Sequence, residues 1–160
     1  MKQRAAHDIG HKEMKKPQML SLATIRKRVK ELAKLVNAPK ELTRVAGSPD
    51  WMGGMYVEVD DKGYHYVNSE RGKEYERHTT KDIQELLYWL LKDITSQIAS
   101  DHELLNRILY ADSRRLWFKK WVELMGIIDP EFQNKLEVEL NQTLKEAPYR
   151  DEKGYKDVSG

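Results

Sequence analysis

The chain has 160 residues and no cysteine, so disulfide bonds and thiolate metal ligands are excluded and a single domain with its own core is expected. The net charge is only +2, but residues 1–50 carry 12 Lys/Arg against 5 Asp/Glu, whereas residues 51–160 carry 16 against 21. No apolar run approaches the roughly 18 residues that a membrane span needs, and the start of the chain lacks the apolar middle of a secretory signal, so we expect a soluble, cytoplasmic protein.

Residues 1–19 are polar and show no hydrophobic period, which predicts a flexible basic N-terminal tail before a single domain over residues 20–148. Ser21 is predicted to cap a first helix, which Asn37 and Pro39 would end. Apolar residues recur in this helix at spacings of three and four: Leu22, Ile25, Val29, Leu32 and Val36.

A three-stranded antiparallel meander of about 25 residues is predicted next, after a loop that ends in "SPDWMGGM". In "MYVEVDDKGYHYV", apolar residues such as Val57 and Val59 alternate with polar ones, and Gly63 suits a tight turn. Gly72 is predicted to make the second turn, and "KEYERHT" the third strand.

The longest helix is predicted to follow, capped by Thr79 or Thr80 and broken near Ser100 and Asp101. Its wide apolar face is built from leucine and isoleucine: Ile83, Leu86, Leu87, Leu90, Leu91, Ile94 and Ile98. Beyond the predicted break, the helical pattern continues through Leu104, Leu105, Ile108 and Leu109.

Two more helices are predicted, one from Asp112 or Ser113 to Gly126 and one from Asp129-Pro130 to Pro148. The fold class is therefore α+β, mostly helical, with about five helices packed on a small three-stranded antiparallel sheet. Residues 149–160 are predicted to form a flexible C-terminal tail.

Catalytic and metal-binding motifs are absent, since the chain has no phosphate-binding glycine loop, no nucleophile elbow and no HExxH. His7 and His11 have the spacing of a metal pair on a helix, but Gly10 lies between them in the predicted tail, which disfavours a site. The sequence thus predicts no metal, no cofactor and no enzymatic activity.

His78 lies close to Glu74, Glu76 and Arg77, a neighbourhood that general acid–base chemistry would use. The same residues also suit charge pairing on an exposed sheet face, which stabilises by a few tenths of a kcal/mol per pair. We favour charge pairing, because nothing in the predicted meander would exclude water from the cluster.

Arg114 and Arg115 are predicted in the first turn of a helix, where the helix dipole disfavours positive charge. Helix energetics therefore do not explain them. Either they pair with carboxylates such as Glu70, Glu74 or Asp112, or they contact a partner.

Tyr88 and Trp89 fall on polar sides of the longest helix. Both side chains either pack under a neighbouring element or, if exposed, serve as interface anchors, because Trp and Tyr ringed by polar groups are common hot spots.

Two stretches, "GYHYVNSERGKEYERHTTKDIQELLYWLL" and "DSRRLWFKKWVELMGIIDPEF", resemble the Imm63-type immunity proteins of bacterial polymorphic toxin systems. The resemblance covers roughly residues 22–148 and includes "IRKRVKELAKLVNAP", the "ERGKE" turn and the "DSRR" segment. The basic N-terminal segment is not part of this pattern.

The resemblance implies a cytoplasmic, non-enzymatic protein that binds a cognate toxin domain and blocks it, protecting the producing cell. The nearly balanced charge argues against simple mimicry of nucleic acid. The residues that we expect to contact the partner are the charged hairpin, two aromatic side chains and two arginines: Glu70, Arg71, Glu74, Tyr75, Glu76, Arg77, His78, Tyr88, Trp89, Arg114 and Arg115.

The alternative is a small nucleic-acid-binding or regulatory domain that uses the basic N-terminal region and Arg26-Lys27-Arg28. No recognisable nucleic-acid-binding motif supports this alternative. Self-association of the chain is left open, and contact with a membrane is not expected.

Overall fold

The computed structural model describes residues 18–157. The predicted N-terminal tail, with His7 and His11, therefore lies outside the described residues except for Gln18 and Met19. The described elements are four α-helices, one short 3-10 helix and three strands: α1 (Leu22–Lys34), the 3-10 helix (Lys40–Thr43), β1 (Gly54–Asp60), β2 (Gly63–Glu70), β3 (Lys73–Thr80), α2 (Ile83–Leu105), α3 (Arg114–Ile128) and α4 (Pro130–Glu146). The predicted α+β, mostly helical class is confirmed.

The helix count differs from the prediction because α2 runs without a break through Ser100 and Asp101. The Asp101 carboxylate accepts a hydrogen bond from the Gln97 amide one turn earlier, at 3.0 Å, and so supports the helix that it was expected to interrupt. Helix α2 ends instead at Asn106, and Ile108 and Leu109 lie in the loop that follows.

The start of α1 and that of α4 agree with their predicted caps. The Ser21 hydroxyl accepts from the Thr24 amide, and Asp129 accepts from the Glu131 amide ahead of a proline in the first turn. At α2, however, Asp82 is the cap and accepts from the Gln84 amide at 2.8 Å. Thr80, predicted as a cap, instead accepts from the Asp82 amide.

The sheet has the order β1-β2-β3, and β2 is antiparallel to both neighbours. Tyr66 at its centre is paired with Val57 on one side and His78 on the other. Val57, Tyr64 and Tyr66 belong to the core cluster that includes α2, so one face of the sheet packs on the helices. The meander is therefore the predicted one, with β1 and β3 as its edges.

Gly126 lies inside α3 and does not end it, contrary to the prediction. A Cβ atom at this position would lie 2.4 Å from the Gln133 side-chain nitrogen on α4. Glycine is therefore suited to the close approach of α3 and α4, and α3 continues to Ile128.

Residues 149–157, assigned to a C-terminal tail by the sequence, pack beside the start of α3. The Arg150 amide donates to Asp112, and the Glu152 amide donates to the Tyr110 carbonyl, both at 2.8 Å. The domain limits and the flexibility of the ends stay predictions, but this described segment does make tertiary contacts.

Candidate partner-binding surface

The turn between β2 and β3 contains only Arg71 and Gly72, both with positive φ, at 51° and 78°. Two-residue hairpins of type I′ require this conformation at both positions, because its twist matches that of the strands. A non-glycine residue there costs roughly 1–2 kcal/mol, so Arg71 occupies its position against its backbone preference.

A β-bulge follows this turn on β3. Ser69 is paired with Glu74 and Asn68 with Glu76, so Tyr75 has no partner on β2. The Tyr75 side chain is 59% exposed, with the Lys73 ammonium 5.2 Å from its ring centre. The bulge therefore leaves an aromatic side chain in solvent next to the turn.

Trp51 and Met52, which the sequence predicted only as part of a loop, lie beside the same turn. The Arg71 amide donates to the Trp51 carbonyl at 3.0 Å, and a Cβ atom on Gly72 would lie 3.5 Å from the Trp51 ring. The two side chains are 68% and 83% exposed. The signal in the sequence was a tryptophan and a methionine directly before a Gly-Gly pair.

We call the exposed residues at and next to this hairpin the hairpin surface: Trp51, Met52, Glu70, Arg71, Glu74, Tyr75, Glu76, Arg77 and His78. It contains seven of the eleven predicted contact residues and adds Trp51 and Met52.

Charges on the hairpin surface are largely paired with one another. The Arg77 guanidinium donates to Glu74 at 2.6 Å and, across the sheet, to Glu58 at 3.1 Å. The Arg77 bonds hold the pKa of Glu74 below its usual range, and the two glutamates raise the pKa of Arg77. Because these groups are exposed, the pairs orient side chains more than they stabilise the fold.

His78 and Glu76 face each other on β3, with 2.5 Å between the His78 Nε2 and the Glu76 carboxylate. Both side chains are about half exposed, so water reaches this pair freely. Glu74, the third group of the predicted cluster, is bonded to Arg77 and not to His78. The arrangement is an exposed hydrogen-bonded pair on the sheet surface, in keeping with the pairing on an exposed face that the sequence favoured.

Trp89 lies between the sheet and solvent, half-buried against the core. Its ring stacks on Tyr66 at 6.5 Å between centroids and lies 5.5 Å from the His78 ring. The Tyr66 hydroxyl donates to Asp93, and burial raises the pKa of Asp93 above its ordinary value. Most of the Trp89 side chain is therefore packed under the sheet, which is the first of its two predicted alternatives.

Tyr88 lies in the core at 1% exposure. Its ring meets Phe132 of α4 edge-on at 5.5 Å, and the Lys135 ammonium lies 4.5 Å from the ring centre. Helix α4 covers the side of α2 that appeared polar in the sequence, so Tyr88 is not accessible to a partner in this structure.

Arg114 and Arg115 lie apart from the hairpin surface and hold the C-terminal segment. Arg114 bonds Asp112 at 2.7 Å and the carbonyls of Ala147 and Pro148 at 2.8 Å. Arg115 bonds both carboxylate oxygens of Asp151, at 2.8 and 2.6 Å. Internal pairing, one of the two predicted alternatives, thus describes both, and the Arg114 bond holds the pKa of Asp112 well below its usual range.

A second exposed apolar stretch comprises the last two residues of α2 and part of the loop after it: Leu104, Leu105, Ile108, Leu109 and Tyr110. Leu105 is 16 residues from Trp89, about 24 Å along the helix. This stretch therefore lies at the opposite end of α2 from the sheet.

Within residues 18–157, no group of three or more His, Asp or Glu side chains could hold a metal ion. In the same part of the chain, no helix is long and apolar enough to cross a membrane.

Comparison with protein families gives one match. The model of the family described as Imm63, immunity protein 63, matches residues 60–142, slightly more than half of the chain. The matched region runs from the end of β1 into α4. Neither the curated proteins nor the solved structures contain a match to this chain.

Proposed function

The chain belongs to the Imm63 family of immunity proteins, and from that membership we propose that it binds a cognate toxin domain in the bacterial cytoplasm and blocks it without enzymatic activity. The predicted resemblance to this family is confirmed. We propose both the class of protein that is bound and the residues that bind it.

One structural observation supports the hairpin surface as the binding site. Trp51, Met52 and Tyr75 are exposed around one tight turn, and paired charges surround them. Interface hot spots have this composition, because an aromatic side chain supplies a large apolar area and polar groups at its rim exclude water.

The paired charges support recognition of a specific shape over long-range attraction alone. Arg77, Glu74 and Glu58 already satisfy one another, so a partner gains little by contacting any one of them. The rim charges would fix the orientation of the complex and favour its rate of formation, while the exposed aromatic groups provide affinity.

Co-expression tests this function directly. The chain would be produced together with the toxin domain encoded beside it in its source bacterium, and growth and co-purification would be measured. We expect restored growth and a stable complex. If growth is not restored and no complex with the toxin is recovered, the proposed function is wrong.

A further inference from the structure

A groove lined by cations lies between α1 and the 3-10 helix. Five basic residues line it, and we call them the basic groove: Arg26, Lys30, Lys34, Lys40 and Arg44. Its remaining lining consists of Ala38, Thr43 and Val45, and its volume is about 510 Å³. No carboxylate of residues 18–157 lines it, and this volume is in the range of small binding sites.

The cations of the groove have no carboxylate partner among residues 18–157. By contrast, Arg77, Arg107, Arg114 and Arg115 each bond an Asp or Glu side chain. The Arg26 Nε donates only to the Val45 carbonyl, at 3.0 Å, a bond that holds the guanidinium at the groove wall.

The row of cations on α1 brings like charges together, although Lys34 in the last turn also interacts favourably with the helix dipole. Arg26, Lys30 and Lys34 follow one another at intervals of four residues, and like charges at that spacing destabilise a helix by a few tenths of a kcal/mol per pair. An anion bound along this row would remove that repulsion.

The basic groove is continuous with the hairpin surface. Arg26 and Arg44 also line a second depression, together with two carboxylates, Glu41 and Asp50, and this depression extends along residues 46–51 to Gly53 and Met55. Trp51 lines this depression and lies beside the β2–β3 turn. Aromatic anchors and unpaired cations thus lie at the two ends of one surface.

We propose that the basic groove binds an acidic segment of the toxin domain, a proposal that rests on the proposed function. An anionic occupant would complement the five exposed cations, and the aliphatic floor suits a peptide whose acidic residues alternate with aliphatic ones. Among the described residues, the groove is lined by no aromatic side chain on which the bases of a single-stranded nucleic acid could stack.

The spacing of the cations also fits an extended peptide. Residues four apart on α1 are separated by about 6 Å along the helix axis. Alternate side chains of an extended strand are separated by about 6.6 Å. A segment with acidic groups at every second position can therefore place successive carboxylates opposite Arg26, Lys30 and Lys34.

The test compares two double variants of the full chain that change net charge equally. Lys30→Glu with Lys34→Glu reverses the groove, whereas Lys27→Glu with Lys119→Glu changes exposed lysines that do not line it. Binding of the toxin domain would be measured by calorimetry, with thermal unfolding as the check on folding. We expect Kd to rise about 100-fold for the groove variant and less than about threefold for the control.

A second measurement identifies the ligand class. Overlapping 15-residue peptides covering the toxin domain, and a 20-nucleotide oligothymidylate, would be titrated against the unchanged protein and the groove variant. We expect an acidic peptide to bind the unchanged protein and to lose binding in the variant.

The outcomes distinguish failure of the groove proposal from failure of the proposed function. Tight toxin binding by the groove variant overturns the groove proposal and leaves the proposed function standing. Oligothymidylate binding that depends on Lys30 and Lys34, without peptide binding, replaces the peptide by nucleic acid and also overturns it. If the unchanged protein binds no toxin domain, both proposals fail.

Discussion

Arg77 on β3 reaches across the central strand to Glu58 on β1, with 3.1 Å between guanidinium and carboxylate. The same guanidinium bonds Glu74, so one side chain connects the two edges of the sheet. Much of the charge on the hairpin is therefore paired with other charges of the same sheet. The exposed apolar side chains of Trp51, Met52 and Tyr75 lie outside these ion pairs.

Replacing Trp51 or Tyr75 by alanine should weaken toxin binding by about 2 kcal/mol or more, because hot-spot aromatics contribute on that scale. Thermal stability should change little, since both side chains are mostly exposed. Leu105→Ala is the matched control, being 86% exposed at the far end of α2. If the control loses binding and the aromatic variants keep it, the interface lies at the α2–α3 loop instead.

Asp112 should protect the fold against acid. Bonds from Arg114 hold its folded pKa well below the ordinary value of 3.8, so its contribution is complete above that value and is lost as the pH falls toward the folded pKa. Wild type should therefore lose stability below about pH 4 more steeply than Asp112→Asn. Urea unfolding at several pH values between 2 and 7 measures this, and parallel curves for the two proteins would contradict it.

Asp93, in contrast to Asp112, should lower the free energy of unfolding as the pH rises. Burial beneath Tyr66 raises its folded pKa above 3.8, so the protonated form favours the fold and that contribution is lost as the pH rises through the folded pKa. Asp93→Asn should remove this loss, and its stability relative to wild type should increase as the pH rises from about 4. The same urea titrations test it, and a constant difference between the two proteins would show that Asp93 is not perturbed.

Gly63 and Gly54 should respond differently to alanine. Both have positive φ, 138° and 123°, and a strained backbone residue costs of order 1–3 kcal/mol. At Gly63 the new Cβ would also lie 2.5 Å from the Thr80 carbonyl oxygen, whereas at Gly54 no atom of the described part of the chain would lie within 4 Å of it. Gly63→Ala should therefore reduce the free energy of unfolding clearly more than Gly54→Ala. Equal losses would show that the sheet edge adjusts without cost.

Local patterns in the sequence were sufficient to predict most helices, strands and turns of the fold. Strand β1, the glycine turns and the Asp129-Pro130 cap each depend on neighbours within a few residues, and each of these predictions is confirmed by the structure. The alternation predicted within β1 is not seen in its burial, because Tyr56 is buried as well as Val57. Gly126 was misinterpreted because its role depends on Gln133 of another helix.

Predicting the candidate site required knowledge of contacts between residues that are distant in the sequence. Tyr88 appeared to lie on a polar side of α2 because the sequence does not show that α4 covers it. Arg115 pairs with Asp151, 36 residues away, which no local pattern indicates. Trp51 was missed for the same reason, since its position beside the β2–β3 turn arises only when the loop folds back.

Strand β3 has a further consequence for the protein at high concentration. Its outer edge carries main-chain N–H and C=O groups that β2 does not use, and such an edge can recruit a strand from another molecule. The bulge at Tyr75 interrupts the regular spacing of those groups, and charged side chains occupy most positions from Lys73 to His78. A chain with this edge should therefore resist edge-to-edge polymerisation into fibrils, even when a cell makes it in abundance.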